Sequence, residues 1–163
     1  MQTLKPIPSI HPQYGMYYIE EDLRDAAYRG DLTRAMALFA QYPKLDSNAT
    51  NEYSETALYI ACKRKQDRIA EYLLKHPEIR VDIPTILGNS ALLICAWTDN
   101  TQLAKRLVQA GAGVHARTHS DRKYHGNVSA FDIAQERNNH ELVEFLLAHI
   151  SNSANPSFTY RTR

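Results

Sequence analysis

Ser90-Ala91-Leu92-Leu93-Ile94-Cys95 is one of three matching stretches in this chain; the others are Thr56-Ala57-Leu58-Tyr59-Ile60-Ala61 and Ser129-Ala130-Phe131-Asp132-Ile133-Ala134. Each stretch is followed by a branched aliphatic residue and then by an apolar pair: Leu73-Leu74, Leu107-Val108 and Leu146-Leu147. An internal repeat of this kind predicts a solenoid, in which each unit buries its apolar face only by stacking on its neighbours.

The apolar positions within each unit predict a pair of short helices. In the second unit, Leu58, Ala61 and Cys62 share one helical face, and Ile69 and Leu73 continue the stripe on a second helix. A fourth, degenerate unit surrounds Leu23. We therefore expect first helices over 22–29, 56–65, 90–98 and 129–137, and second helices over 32–41, 67–75, 101–110 and 139–149.

The pattern Thr/Ser-x-Leu-x-x-Ala, followed by a second helix with an apolar pair and a turn, resembles the ankyrin repeat, whose period is about 33 residues. Gly111-Ala112-Gly113-Val114 matches part of the family's Gly-Ala-Asp-Val-Asn turn, with His115 in the place of its Asn. All three stretches have Ala where the family has Pro after Thr. The resemblance covers roughly residues 20–150. It implies an all-α ankyrin-repeat solenoid of about four stacked helix-turn-helix repeats with hairpin-like connecting turns.

The two ends of the chain differ from the repeats. Residues 1–19 contain Pro6, Pro8 and Pro12 and are predicted to form an N-terminal extension. Its Tyr14, Tyr17, Tyr18 and Ile19 are expected to cap the first repeat, because the exposed end of a stack must be covered. Residues 20–150 form the predicted ankyrin-repeat domain, and the polar residues 151–163 a mobile C-terminal tail.

Composition limits the classes of function. A length of 163 residues predicts a single domain. The net charge of +1 argues against a general electrostatic attraction to nucleic acid or membranes. Cys62 and Cys95 fall on predicted core positions and are interpreted as small apolar fillers. No apolar run reaches transmembrane length, and no secretory signal is evident. These features predict a monomer in the cytoplasm, or in the host cytosol if the protein is a secreted bacterial effector.

One cluster of residues could support metal chemistry. His115, His119, Asp121 and His125 lie in the lengthened turn between the third and fourth units, and such side chains could hold zinc. We expect no metal, because no Cys joins the set and ordering a flexible loop costs entropy. A metal-dependent enzyme using the His115–His125 hairpin is nevertheless the alternative from a different class.

No catalytic motif is legible in the sequence. The chain lacks a glycine-rich phosphate loop and a GxSxG elbow, and both cysteines are predicted to lie in the packed interior. We therefore expect a protein that is not an enzyme and needs no cofactor.

Resemblance to the family implies that a partner contacts the hairpin tips and the exposed ends of the first helices. Alignment transfers this surface to Tyr28, Arg29, Tyr53, Glu55, Lys63, Arg64, Ile86, Leu87, Asn89, Trp97, Thr98, Tyr124 and Arg137, with His125 and Glu136 beside them. Trp97 is the only Trp and lies outside the apolar stripe of its helix, so we expect it to be a solvent-facing hot spot. The alternative is an indole that packs against a neighbouring helix.

Basic residues give the predicted concave face a positive bias. Arg29, Lys63, Arg64 and Arg137 lie there among aromatic residues, and this favours a partner peptide with acidic and apolar residues. Solvated charges on a helix face are the alternative. The sequence thus predicts a non-catalytic protein-protein interaction module that binds a protein or peptide partner on its concave face. Its closest rival among binding functions is a bacterial effector or adaptor that acts on host proteins.

Overall fold

The structure is a computed structural model that describes residues 17–119 and 126–153. Within these ranges the chain forms eight helices: α1 (Tyr17–Arg29), α2 (Leu32–Gln41), α3 (Ala57–Lys63), α4 (Asp67–Leu74), α5 (Ala91–Trp97), α6 (Thr101–Gln109), α7 (Ala130–Glu136) and α8 (His140–Ser153). The helices follow one another in pairs, as the repeat predicts.

The Thr or Ser that opens each matching stretch caps a first helix. Thr56, Ser90 and Ser129 have extended backbones, and their hydroxyl oxygens accept hydrogen bonds of 3.1, 3.3 and 3.2 Å from the backbone N–H three residues later. All three residues are buried, so each bond satisfies groups that water cannot reach. The cap is the physical reason for the repeated Thr/Ser.

Each first helix ends in the same left-handed turn. Gly30, Lys65, Asp99 and Asn138 have φ values of 78°, 56°, 54° and 56°. The N–H of the following residue then donates back to a carbonyl of the helix, at 2.8 to 3.0 Å in the four repeats. This closure reverses the chain and starts the second helix at an equivalent place in every repeat.

The helices stack in two rows. One row consists of α1, α3, α5 and α7, each in contact with the next, and the other of α2, α4, α6 and α8. Between the rows lies a continuous core that includes Leu23, Leu38, Leu58, Leu73, Leu92, Leu107, Ile133 and Leu146. The described residues form no β-strand beyond an isolated bridge between Arg117 and Ser129. The predicted all-α solenoid of four stacked helix pairs is confirmed.

The first and last helices are longer than the sequence predicts. Helix α1 already begins at Tyr17, and α8 continues to Ser153, so both helices extend past the predicted domain of residues 20–150. Ile19 is partly buried against the core, whereas Tyr14 lies outside the described residues. Helices α1 and α8 stand at the two ends of the stack, where each packs against only one of the described helices of its own row.

Candidate interaction surface

The hairpin tips between the helix pairs are closed by local hydrogen bonds. In the second repeat, the side-chain oxygen of Asn51 accepts from the N–H groups of Tyr53 and Glu55, at 3.0 and 2.9 Å. In the third, the N–H of Thr85 donates to the carbonyl of Asn89 at 3.0 Å, and Gly88 turns the chain with φ +77°. These hydrogen bonds fix the conformation of the tips in the free protein.

Backbone hydrogen bonds also join successive tips. The N–H of Ile86 donates to the carbonyl of Tyr53 at 3.1 Å, and the N–H of His119 donates to the carbonyl of Leu87 at 3.0 Å. His119 comes so close to the third tip that a Cβ on Gly88 would lie 2.6 Å from its backbone nitrogen. These four backbone groups are therefore already paired between neighbouring tips.

The joined tips carry the most exposed apolar side chains of the predicted surface. Tyr53, Ile86 and Leu87, which we call the tip ridge, are 54%, 56% and 53% exposed. They lie on neighbouring tips, since the bond from Ile86 to Tyr53 links the two backbones directly. The structure thus brings three of the sequence-predicted residues together in one apolar ridge.

The predicted basic residues are largely paired with carboxylates. Salt bridges of 2.8, 2.8 and 2.7 Å connect three of them to acidic partners: Arg29 to Asp25, Lys63 to Glu55, and Arg137 to Asp99. The fourth, Arg64, places its guanidinium 4.2 Å from the ring centroid of Tyr28. The free positive bias expected from the sequence is therefore much reduced, and Glu55 acts as the counterion of Lys63.

Trp97 does not occupy the solvent-facing position expected of it. It is the last residue of α5, but its indole is partly buried and packs against the core. Tyr28, at the corresponding end of α1, is 52% exposed and is the more accessible aromatic residue. The expectation of an exposed indole was wrong because helix position alone does not show how neighbouring helices cover a side chain.

The remaining predicted residues have structural contacts or lie outside the described ranges. The Thr98 hydroxyl donates to the carbonyl of Ile94 at 3.0 Å, and Asn89 closes the third tip. Glu136 is exposed at the end of α7. Tyr124 and His125 lie outside the described residues.

A cleft that sequence reasoning missed lies beside the second tip. This inner cleft has a volume of about 420 Å³ and is lined by Glu21, Arg24, Asp25, Tyr28, Asn51, Glu52 and Ile60. Arg24 is buried, and its guanidinium donates to the carbonyl of Ala49 at 3.3 Å, which holds α1 against the chain entering the tip. The spacing of the four α1 residues along one helical face was the signal available in the sequence.

A second cavity, of about 310 Å³, lies at the N-terminal end of the stack. It is lined by Ile19 and Glu20 of α1 and by Gln41, Tyr42, Pro43, Lys44 and Leu45. Burial, reinforced by the charge of Asp46, raises the pKa of Glu20.

The cysteine and histidine side chains that could take part in catalysis or metal binding lie in different surroundings. Cys62 and Cys95 are buried free thiols, and a hydrogen bond to Cys95 together with burial raises the pKa of Cys62. A raised pKa disfavours the nucleophilic thiolate. His119 places Nδ1 3.3 Å from the carbonyl oxygen of Ile86, while Asp121 and His125 lie outside the described residues.

The described part of the chain was compared with the requirements of a metal site and of a membrane span only through its own side chains and helices. It contains no group of three or more His, Cys, Asp or Glu side chains placed to hold a metal ion. None of its helices is both long and apolar enough to span a membrane.

Comparison with protein families agrees with the geometry. The family model for ankyrin repeats, in three copies, matches residues 23–118, which is more than half of the chain. The fourth helix pair, α7 and α8, follows the matched segment; it shares its Ser cap with α5 and its left-handed turn with all three preceding pairs. The chain belongs to the ankyrin-repeat family.

Proposed function

We propose that this ankyrin-repeat protein is a non-catalytic interaction module that binds a protein partner through its tip ridge, on the concave side of the solenoid. Ankyrin repeats generally mediate protein-protein interactions, and the family is typically non-catalytic. The observation that supports this site is the exposure of Tyr53, Ile86 and Leu87 on two tips joined by a backbone hydrogen bond.

The tip ridge offers binding energy at low entropic cost. Fully burying a large apolar side chain is worth about 1.5–3 kcal/mol, so covering the exposed half of each ridge residue is worth about 1 kcal/mol. Because the tips are held by Asn51, Thr85 and the bonds between tips, little backbone freedom is lost on binding.

The charged residues around the tip ridge are expected to affect the rate and orientation of binding more than its affinity. Exposed ion pairs such as Lys63–Glu55 contribute little net affinity, but they influence orientation and association rate. We therefore propose that apolar side chains of the partner make the main contacts, and that an acidic character is not required. Trp97, which is partly buried against the core, supports the packing of α5 in this proposal and does not anchor the partner.

The experiment compares three tagged proteins in quantitative affinity capture from cell lysate. The Ile86→Ser/Leu87→Ser variant removes two ridge side chains. Met36→Ser removes a similarly exposed apolar side chain from α2, in the row of second helices, where Met36 is 49% exposed. We expect a set of proteins captured by the wild type and by Met36→Ser, and lost with the ridge variant. Equal capture by all three would contradict the proposed site.

A further inference from the structure

We infer that the cavity at the N-terminal end of the stack is the docking site for the chain's own residues 1–16, and that Ile10 and Tyr14 are the side chains that enter it. This inference goes beyond the proposed function, because it assigns an occupant to a surface that is separate from the tip ridge. It also specifies how the first end of the solenoid is closed.

The walls of this cavity are largely apolar. Ile19, Tyr42, Pro43 and Leu45 line it, and the first two are partly buried hydrophobic residues that pack against the core. Helices α1 and α2 contact α3 and α4 of the next repeat, but no described helix pair precedes them. The end of a solenoid needs a cover where the preceding repeat is missing.

The composition of residues 1–16 suits such a cover. The segment contains four large apolar side chains: Leu4, Ile7, Ile10 and Tyr14. Its three prolines restrict the backbone before docking, so less conformational entropy is lost when the segment binds. It contains no Asp or Glu, and it therefore brings no like charge to Glu20, the carboxylate that lines the cavity.

The segment joins the solenoid beside the cavity. Helix α1 begins at Tyr17, and Ile19 of the cavity wall follows about 3 Å further along the helix axis. An extended chain spans at most about 3.5 Å per residue, so Tyr14 can reach about 10 Å from Tyr17, and Ile10 about 25 Å. Gly15 permits the sharp reversal that brings the chain back to the cavity.

Covalent attachment favours this segment over a separate molecule. A group on a short linker meets its site at an effective concentration of about millimolar, so weak apolar contacts are enough to hold it. The cavity volume of about 310 Å³ lies at the lower end of the range of roughly 300–1,000 Å³ that is typical of ligand pockets. Such a volume suits a few side chains of a short segment.

The test follows the backbone amide signals of the cavity residues by heteronuclear NMR of the full chain. Ile10→Ser/Tyr14→Ser should shift the signals of Tyr42 and Leu45, which lie far from the substitutions in sequence but line the cavity. The matched control is Gln2→Ser/Gln13→Ser, which changes two polar residues of the same segment and should leave both signals in place.

A synthetic peptide of residues 1–16 provides the second measurement. Added to the Ile10→Ser/Tyr14→Ser protein, it should move the signals of Tyr42 and Leu45 back toward their wild-type positions. The wild type should bind the peptide at least about tenfold more weakly, because apparent affinity falls with the fraction of sites that are empty. A peptide that carries the same two substitutions should have no effect on the variant.

Unchanged signals of Tyr42 and Leu45 in the Ile10→Ser/Tyr14→Ser protein would overturn the inference, as would a wild-type peptide that does not bind this variant. Wild-type signals that move on dilution, with a dimer in sedimentation, would show that a second copy of the chain fills the cavity instead. Circular dichroism checks that the variants are folded, and Tyr14→Ser alone gives the same comparison if the double variant is not.

Discussion

Arg137 and Asp99 lie 38 residues apart in the sequence, yet the guanidinium donates two hydrogen bonds, of 2.9 and 2.7 Å, to the same carboxylate oxygen. Asp99 occupies the left-handed turn after α5, and Arg137 is the C-terminal cap of α7. The pair therefore connects the ends of two successive first helices. The hydrogen bonds from Arg137 hold the pKa of Asp99 below its usual 3.8.

The first prediction follows from this lowered pKa. A carboxylate whose pKa is lower in the folded state stabilises the protein above its unfolded pKa, and this contribution is lost as the pH falls through the folded value. At neutral pH, Asp99→Asn should reduce the free energy of unfolding by less than about 1 kcal/mol, because the pair is partly exposed and screened.

Urea unfolding of the wild type and Asp99→Asn over a range of pH measures this effect. The difference between the two proteins should be constant near neutral pH and shrink below pH 3.8. Asn also tolerates a positive φ, so the turn itself is not disturbed. A difference that did not change with pH would show that the charge of Asp99 is not its cause.

The second prediction concerns the buried helix caps. Ser90→Ala should lower the free energy of unfolding by about 1 kcal/mol, because the N–H of Leu93 loses its acceptor in a buried site. Ser90→Thr should keep most of the stability, since Thr56 makes the same cap in the second repeat. Thermal or urea unfolding measures all three proteins.

Ser151→Ala is the control for this cap, because Ser151 is exposed within α8. Its stability should equal that of the wild type. If Ser90→Ala were equally harmless, the cap would not account for the Thr/Ser of the repeat.

The third prediction compares the loss of stability when either of two apolar residues of α5, Leu92 or Trp97, is replaced by Ala. Leu92→Ala should destabilise by roughly 2–5 kcal/mol, because it leaves a cavity in the middle of the stack. Trp97→Ala should also destabilise measurably, though less, because the indole is only partly buried. Denaturant midpoints of both variants provide the ranking. A Trp97→Ala protein as stable as the wild type would restore the interpretation of Trp97 as an exposed anchor.

The fourth prediction uses the left-handed turns. Lys65 is exposed and has φ 56°, whereas the first repeat has Gly30 at the corresponding position. Lys65→Gly should raise the free energy of unfolding by up to about 1 kcal/mol, because glycine adopts this conformation without steric cost.

Lys75 provides the matched comparison for Lys65. It is also exposed, but it caps α4 with a right-handed backbone at φ −84°. Lys75→Gly should therefore destabilise, because it only adds freedom to the unfolded chain. The prediction fails if both substitutions change stability in the same direction.

The sequence was most informative about features that recur in every repeat. The three matching stretches and the degenerate unit around Leu23 predicted four helix pairs, because each pair has to bury the same apolar stripe against its neighbours. Tyr53, Ile86 and Leu87 of the tip ridge were also named from the sequence, because the resemblance to the ankyrin family implies partner contacts on the hairpin tips.

Features that depend on contacts between repeats were not predictable in this way. The partner of Arg137 is in the preceding repeat, and the inner cleft combines residues from α1, α3 and the second tip. Periodicity places residues such as Trp97 on a helix, but it does not say which neighbouring side chain covers or neutralises them. That information comes only from the three-dimensional packing of adjacent repeats.

The close approach of His119 to Gly88 has a consequence for engineering. Repeat proteins are commonly regarded as arrays of interchangeable units, but here His119, in the connection to the fourth repeat, fits against a glycine of the third repeat. Splicing an additional standard repeat between the third and fourth would separate Gly88 from His119 and remove both this approach and the hydrogen bond from His119 to Leu87. The third and fourth repeats are therefore best transplanted as a single unit.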